Sequence, residues 1–260
     1  HIYRYRYGRD SSGIWLPELA YRPSYKWRNP VTEEEFERKG VEYYIQKNNI
    51  KYFLVDTPLL RGGEGIGTYL DRFTALQLLW QQFEKQKQDI KGENLSIYRP
   101  YIAGGSENLE NKVSFLTRDD KTGILVWSGE HGFPGDGYYL EFHKKHFPSG
   151  NRYWRITGSD VDLGEKEVYE PNKVVERLDE NSAYFVKMVK ENLLQYYNEN
   201  SKPGSVVSPY DFELLGHWWF EGVGFLDRVI NLVSEDDEIS MITSKKYLET
   251  YPPKADTVVP

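Results

Sequence analysis

The longest helical pattern in the chain lies at residues 172–198 and constrains the fold most strongly. Its apolar side chains recur at helical spacings and form one stripe, made of Leu178, Phe185, Val189, Leu193 and Tyr196. A helix with a single apolar stripe has to bury it against another layer of secondary structure. We therefore predict that this helix covers a sheet or a barrel.

Strand patterns and helical patterns alternate along the rest of the chain. Strands are predicted at residues 13–16, 51–55, 153–157, 205–208 and 239–242, and further helices at 32–48 and 218–234. Two alternating runs at 113–118 and 123–128 are separated by a polar turn, which predicts a hairpin. Strands that alternate with helices favour an α/β fold with parallel pairing, and 260 residues are compatible with one domain.

A glycine-rich segment at residues 59–69 precedes a helical pattern at 74–89. The segment contains no Gly-Lys-Ser/Thr sequence and no G-x-G-x-x-G that opens a helix, so a phosphate-binding loop is disfavoured. We predict that residues 59–95 form an inserted mobile loop and helix region over a cleft.

Charge and composition disfavour several classes of protein. The net charge is −7 and no window concentrates Lys or Arg, which argues against a nucleic-acid partner. No stretch reaches the roughly 18 apolar residues that a membrane-spanning helix needs. The absence of cysteine excludes disulfides and thiolate metal sites, and predicts a cytoplasmic protein. His143 and His146 lie three residues apart on a predicted helix without a third ligand at a suitable spacing, so we predict neither a metal nor a cofactor.

Two acidic residues near opposite ends of the chain each lie among aromatic and apolar side chains. Glu18 follows the first predicted strand in GIWLPELAY, and Asp211 follows a later one in SPYDFELLGHWWFEG. Glycoside cleavage requires two carboxyl groups on either side of one bond, and aromatic rings cover the apolar face of a sugar. The local sequence leaves two other interpretations open: a salt-bridged Glu18 at a strand end, and Asp211 as the cap of the following helix.

Five blocks of the sequence together resemble glycoside hydrolase family 57, and most closely its 1,4-α-glucan branching enzymes. The blocks are GIWLPELAYRP, KYFLVDT, WSGEHGFPGDGYYLEFHKKHFPSGNRYWRIT, SPYDFELLGHWWFEG and KKYLETYPP. The resemblance implies a distorted (β/α)7 barrel that acts on α-1,4-glucans through a covalent glucosyl-enzyme. It also implies that residues 1–260 are an incomplete barrel, without the early strands or the helical domain that the family places after it. The chain starts at His1 rather than Met and ends at Val259-Pro260, which also predicts a piece of a longer protein.

The resemblance assigns roles to individual residues. Glu18 corresponds to the nucleophile and Asp211 to the general acid/base. The implied glucan contacts are Arg118, Trp127, Gly135, Tyr69 and Trp218. The predicted partner is an α-1,4-glucan, and the acceptor could be a glucan 6-hydroxyl, a 4-hydroxyl or water. A non-catalytic glucan-binding fragment is the alternative from another class, while a nucleotide-sugar enzyme would need a phosphate-binding turn that the sequence lacks.

Overall fold

The computed structural model describes residues 2–61, 95–104, 112–254 and 258–259. The chain forms two compact units, a first unit of His1–Arg118 with Ile242–Pro260 and a second unit of Asp119–Met241. The described elements are α1 (Ile2–Tyr7), β1 (Gly13–Trp15), β2 (Tyr25–Arg28), β3 (Glu35–Arg38), α2 (Val41–Lys47), β4 (Tyr52–Val55), α3 (Thr57–Arg61), β5 (Tyr101–Ala103), β6 (Ser114–Thr117), α4 (Asp120–Trp127), α5 (Pro171–Asn200), α6 (Gly222–Ser234), α7 (Ser244–Thr250) and β7 (Val258–Val259).

The first unit is built on a sheet with the described strand order β1-β4-β6-β5-β7. Strands β1, β4 and β6 are mutually parallel, and β5 runs antiparallel to β6. The sheet strands are short and apolar because their side chains enter a core, where Phe53 is fully buried and Phe115 is nearly so. The rings of Tyr21 and Tyr101 stack on these two phenylalanines, with centroids 5.2 and 5.6 Å apart. These parallel strands and the flanking helices confirm the predicted α/β class.

The helix predicted at residues 32–48 is wrong over most of its length. The chain instead forms the β2–β3 hairpin, followed by the short helix α2. The Asn29 side chain accepts hydrogen bonds from the amides of Val31 and Thr32, which closes a turn before any helix can begin. Across the hairpin Trp27 faces Phe36, with ring centroids 5.1 Å apart. The local turn and this aromatic pair outweigh the acidic residues that suggested a helix start.

The predicted hairpin at residues 113–128 is correct in its first strand and wrong in its second. Residues Ser114–Thr117 form β6, whereas Asp120–Trp127 form helix α4. Asp119 is the N-cap of that helix, and its Oδ1 accepts a hydrogen bond of 2.8 Å from the Thr122 amide. The residues that resembled a hairpin turn therefore start a helix.

The second unit packs around helix α5, which confirms the long helix predicted from the apolar stripe. Within this unit the stripe packs against α6 and the segments between helices, and not against the predicted sheet or barrel, because the strands of both described sheets belong to the first unit. Its core contains Leu178 and Phe185 from α5, Phe225 from α6, and Phe133 and Trp219 from the segments between helices. Helix α6 begins at Gly222, four residues after the predicted start at Trp218. A Cβ on Gly222 would lie 2.8 Å from the Leu215 side chain, so the helix starts where the chain packs closely against the preceding loop.

Three predicted strands in this part of the chain are not regular strands. Residues 153–157 contribute single bridges at Trp154 and Arg155, and 205–208 contribute one bridge residue, Val207. Residues 239–242 contain no strand; the Ile239 amide donates to Asp236 Oδ1 in a turn. Apolar alternation predicts a strand only when a partner strand is available for pairing, and here the neighbours are loops and helices.

Most of the predicted loop and helix region at residues 59–95 lies outside the described residues, as does Tyr69. Its first residues, up to Arg61, belong to the short helix α3. Within the described ranges, no helix combines the length and the apolar character needed to cross a bilayer.

Candidate active site

The carboxyl ends of three parallel strands carry polar side chains at one edge of the first unit's sheet. Trp15 of β1 pairs with Leu54 of β4, and Val55 of β4 pairs with Thr117 of β6, so the three strands end at the same level. The segments that follow them contain Glu18, Asp56 and Arg118. In α/β folds this edge is where ligands bind, because the loops that leave it can vary without disturbing the core.

Glu18 lies in a tight turn directly after β1. Pro17–Leu19 form a single 3₁₀ turn, closed by a 2.8 Å hydrogen bond from the Leu19 amide to the Leu16 carbonyl. Glu18 and Leu19 both have left-handed backbone conformations, with φ of 54° and 52°. Leu16 and Leu19 are buried, while Glu18 is exposed. Two buried leucines thus hold a backbone that a free peptide would avoid and present the carboxylate to solvent.

Arg118 makes a bidentate ion pair with Asp56. Arg118 Nη2 lies 2.8 Å from Asp56 Oδ2, and Nε lies 3.1 Å from Oδ1. Each side chain is about one-quarter exposed, so the pair is partly shielded from solvent. The other ion pairs in the described part of the first unit involve Asp10, Glu33 and Glu249. The salt-bridge interpretation of a strand-end acid therefore applies to Asp56, and not to Glu18.

Asp56 also organises the backbone around it. Its Oδ1 accepts a hydrogen bond from the Thr57 amide, and the Thr57 hydroxyl donates to the Arg118 carbonyl at 2.6 Å. The ends of β4 and β6 are therefore joined by side chains as well as by the ladder. The sequence analysis included Asp56 in the KYFLVDT block but assigned it no role, because its partner lies 62 residues away.

Asp211 is exposed in the second unit at the start of a 3₁₀ turn, Phe212–Leu214. Its carbonyl accepts from the Leu214 amide at 3.1 Å, but its carboxylate makes no capping hydrogen bond. Leu214 is buried and anchors the turn. The backbone position of Asp211 is that of a cap, as one interpretation predicted, whereas the side chain is not used for capping and is presented to solvent.

Three predicted glucan contacts lie close to one another in the second unit. A Cβ on Gly135 would meet the Gly129 carbonyl oxygen at 2.1 Å, so only glycine permits this approach of two backbones. A Cβ on Gly129 would in turn lie 3.6 Å from the Trp218 ring. Trp127, two residues before Gly129, and Trp218 are both half-buried against the core. The structure thus gives Gly135 a packing role against Gly129, which lies next to the half-buried Trp218 ring.

Asp136, next to Gly135, anchors this loop to helix α5. Its Oδ2 accepts from Arg177 Nε at 3.0 Å and from Asn181 Nδ2 at 3.3 Å, and its Oδ1 accepts from the Tyr138 amide. Burial by itself raises the pKa of Asp136, but the hydrogen bonds from Arg177, Tyr138 and Asn181 outweigh it and hold the pKa below its ordinary value. Asp136 is therefore a charged anchor at neutral pH.

Glu221 is a buried carboxylate that the sequence analysis did not single out. It is 5% exposed, and its Oε1 accepts a 2.9 Å hydrogen bond from the Leu140 amide. Burial raises the pKa of Glu221 above its ordinary value. Burial also raises the pKa of Tyr169, and the nearby Glu221 carboxylate adds to that effect. Its position after the WWF sequence gave no signal of burial, since that depends on the packing of α6.

The histidines are occupied with local contacts. His143 Nδ1 lies 3.1 Å from Glu141 Oε1, and His146 Nδ1 lies 2.9 Å from Ser149 Oγ. The segment that contains them is a loop and not the predicted helix, because turns around residues 146–150 interrupt it. In the part of the chain that the structure describes, no three His, Asp or Glu side chains cluster as metal ligands.

Comparisons with known proteins agree on the family. The family description Glycosyl hydrolase family 57 matches residues 1–260. The chain is 37% identical over 249 residues to the 1,4-alpha-glucan branching enzyme of Thermococcus kodakarensis, a match that covers 96% of this chain and 34% of that protein. The crystal structure of that enzyme, in complex with glucose and additives, superimposes with a TM-score of 0.79 at 36% identity, over 97% of this chain and 42% of the other.

Two further crystal structures are similar over most of the chain. The branching enzyme of Pyrococcus horikoshii gives a TM-score of 0.77 at 37% identity, covering 100% of this chain and 41% of that one. The alpha-amylase AmyC of Thermotoga maritima gives 0.68 at 25% identity, covering 95% and 42%. The chain thus spans 34% of the curated relative and about two-fifths of each solved structure. With a family match over its whole length, the chain belongs to glycosyl hydrolase family 57.

Proposed function

We propose that the protein containing this chain is a 1,4-α-glucan branching enzyme. Its reaction would cleave an α-1,4 bond in a glucan and form an α-1,6 bond through a covalent glucosyl-enzyme. The observation that carries the proposal is that Glu18 and Asp211, the two acids assigned from the family resemblance, are both exposed on turns that buried leucines anchor. The similarity to two branching enzymes at 37% identity supports it further.

In the proposed reaction Glu18 is the nucleophile. Its carboxylate attacks the anomeric carbon of an α-1,4-linked glucose while Asp211 donates a proton to the departing glycosidic oxygen. Asp211 then removes a proton from the 6-hydroxyl of an acceptor glucan, whose oxygen displaces Glu18 from the anomeric carbon. The anchored turn suits Glu18 to this role, because a nucleophile on a fixed backbone keeps its carboxylate near the attack geometry.

Arg118 would contribute a fixed positive charge at the same sheet edge as Glu18. Its guanidinium is held by Asp56, so its position does not depend on the substrate. A charge held in place before the substrate arrives costs no reorganisation when the substrate binds. The half-buried indoles of Trp127 and Trp218 would supply apolar surfaces for sugar rings in the second unit.

A second candidate function is hydrolysis of α-1,4-glucan, which is supported by the similarity to the alpha-amylase of Thermotoga maritima. The difference lies in the acceptor, which is water in hydrolysis and a glucan hydroxyl in transfer. The cytoplasmic location expected from the absence of cysteine stays a prediction, and the proposed branching reaction predicts a role in glycogen synthesis.

The product linkage distinguishes these functions. Proton NMR of amylose treated with the intact protein should show new α-1,6 anomeric signals with few released reducing ends. Reducing ends without α-1,6 signals would contradict branching and support the amylase.

Substitution of the two acids tests the mechanism, and the chain provides a matched control for each. Glu18→Gln and Asp211→Asn in the intact protein should lower the rate of transfer at least a thousandfold, as loss of a nucleophile or of its acid/base partner does. Glu33→Gln is the control for Glu18, because Glu33 is also an exposed glutamate in the left-handed region, with φ of 59°. Asp162→Asn is the control for Asp211, because Asp162 also precedes a 3₁₀ turn without capping it. Full turnover in Glu18→Gln or Asp211→Asn, with unchanged glucan binding, would leave only the non-catalytic interpretation for that residue.

A further inference from the structure

A pocket of about 470 Å³ opens on the second unit and contains none of the predicted catalytic or glucan-contacting residues among those that line it. Its volume falls in the range typical of small-molecule sites. Three aromatic side chains line it, and two of them, Tyr153 and Phe220, are each about half exposed. Exposed aromatic rings that line a concave site, rather than an isolated surface position, offer flat apolar surface to a ligand.

The polar groups of the pocket are held in place by the protein. Asn151 Nδ2 donates to the Tyr153 hydroxyl at 2.8 Å, which fixes the amide beside the ring. The Arg152 guanidinium lies over the Phe142 ring at 4.6 Å, and its Nη1 approaches the His217 carbonyl at 3.5 Å. An amide, a phenol and a guanidinium thus lie around the aromatic surface in fixed orientations. Groups that are oriented before binding lose little entropy when a ligand arrives.

A buried carboxylate supports the inner wall of the pocket. Leu140 and Tyr169 line it, and the buried Glu221 carboxylate lies behind both. Glu221 Oε1 holds the Leu140 amide, whereas its buried Oε2 has no well-aligned partner and the Tyr169 hydroxyl is the neighbouring polar group. Gly216, with φ of 101°, completes the lining at a position where a side chain would be strained.

We infer that this pocket is a binding site for a neutral oligosaccharide, namely a short segment of α-1,4-glucan separate from the segment that undergoes reaction. The identity of the sugar rests on the proposed function. The chemistry matches because a glucose ring has an apolar face for Tyr153 and Phe220, and hydroxyls for Asn151, Arg152 and the Tyr153 phenol. Arg152 lies on an aromatic ring and beside a carbonyl, and the carboxylate of Glu221 lies nearby, so the pocket is not an anion site. A second glucan contact would keep a long polymer on the protein between transfers.

The test measures protection of backbone amides from hydrogen exchange in the intact Asp211→Asn protein, which prevents turnover. Saturating maltoheptaose should slow exchange in peptides that contain residues 151–153. The double variant Tyr153→Ala/Phe220→Ala should lose that protection and bind glycogen at least tenfold more weakly in affinity electrophoresis. Tyr197→Ala is the matched control, since Tyr197 is an aromatic on the surface of α5, half exposed and far along the chain from the pocket. It should behave as the parent protein does.

Three outcomes would overturn the inference: no protection of residues 151–153 at saturating maltoheptaose, protection that persists in the double variant, or protection by glucose 1-phosphate alone. The outcome is independent of the product assay. New α-1,6 bonds without protection at 151–153 would support the proposed function and contradict the assignment of the pocket as a glucan-binding site. Protection at 151–153, together with no transfer by the parent protein, would support the glucan-binding pocket and contradict the proposed function.

Discussion

Asp56 and Arg118 join the carboxyl ends of two adjacent parallel strands through two hydrogen bonds of 2.8 and 3.1 Å. The pair fixes a cation at the same sheet edge that carries Glu18. It also closes a loop of contacts, because the Thr57 hydroxyl beside Asp56 binds the Arg118 carbonyl. Asp56 is therefore a positioning residue for Arg118 and contributes to the stability of the edge.

Asp56→Asn should impair both stability and transfer. The amide cannot match the charge of Arg118, so the free energy of unfolding should fall by about 1–3 kcal/mol, the usual loss for a charged hydrogen bond that is partly shielded. Urea denaturation of the intact protein measures it. Asp10→Asn is the control, because its ion pair with Arg4 is 3.8 Å long and exposed on both sides, and its loss should be within about 0.5 kcal/mol. A transfer rate in Asp56→Asn equal to that of the parent, at unchanged KM, would show that Arg118 needs no positioning.

Gly135→Ala should destabilise the protein strongly. The new methyl group would lie 2.1 Å from the Gly129 carbonyl oxygen, which is backbone and cannot rotate away. Overpacking of this kind costs about 1–3 kcal/mol or more, and a lowered melting temperature would report it. Gly164→Ala is the matched control, since nothing lies within 4 Å of the added methyl there. Equal melting temperatures for the two variants would contradict the close approach of Gly135 and Gly129.

Asp119→Ala should weaken the start of helix α4. The Asp119 side chain accepts from the Thr122 amide and is buried, so its loss leaves an amide unsatisfied. We expect a loss of about 1–2 kcal/mol in the free energy of unfolding, as for other N-cap deletions. Asp119→Ser keeps a capping oxygen and should recover about half of that loss. Serine as damaging as alanine would show that capping is not the contribution of Asp119.

Asp136→Asn should lower stability at neutral pH and lose its effect in acid. The pKa of Asp136 is below its ordinary value in the folded protein, so its ionised form stabilises the fold. That contribution is complete above the unfolded pKa, about 3.9, and is lost as the pH falls from there through the folded pKa. Urea denaturation at pH 7, 5 and 3 should show a difference between variant and parent that is constant at pH 7 and 5 and smaller at pH 3. A constant difference across all three would assign the effect to packing. Asp160→Asn, at an exposed acid in the same unit, is the control and should change the free energy of unfolding at pH 7 by no more than about 0.5 kcal/mol.

The parts of the fold that the sequence predicts are those that local pattern alone determines. Helix α5 has a stripe long enough to exclude other periods, and the parallel strands are short apolar runs that end at Glu18 and Asp56. The helix predicted at residues 32–48 is wrong because Asn29, which lies outside the apparent helix, starts a turn. The contact between Trp27 and Phe36 then favours a hairpin over a helix. The strand predicted at residues 123–128 is wrong because the same apolar residues fit a helix once Asp119 caps it.

Some residues of the candidate site could be predicted from local sequence, and others could not. Glu18, Asp211 and the two tryptophans could be named from their motifs, and their roles stay predictions; the structure leaves the two acids exposed and the two indoles half-buried. The pairing of Asp56 with Arg118 depends on strand register across 62 residues. The burial of Glu221 depends on where α6 meets the loop before it. Both arise from tertiary contacts, which no local pattern specifies.

The turn at Glu18 and Leu19 has a consequence for how this family member can vary. Leu19 is 2% exposed and anchors the turn in the core. Glu18 has a left-handed backbone conformation that β-branched side chains rarely adopt. Replacement at position 18 is therefore restricted by the conformation of the main chain, in addition to the chemistry that we propose for the carboxylate. Valine, isoleucine and threonine at position 18 would destabilise this turn even in a protein without activity. Relatives that have lost their activity should therefore still lack these three residues at this position.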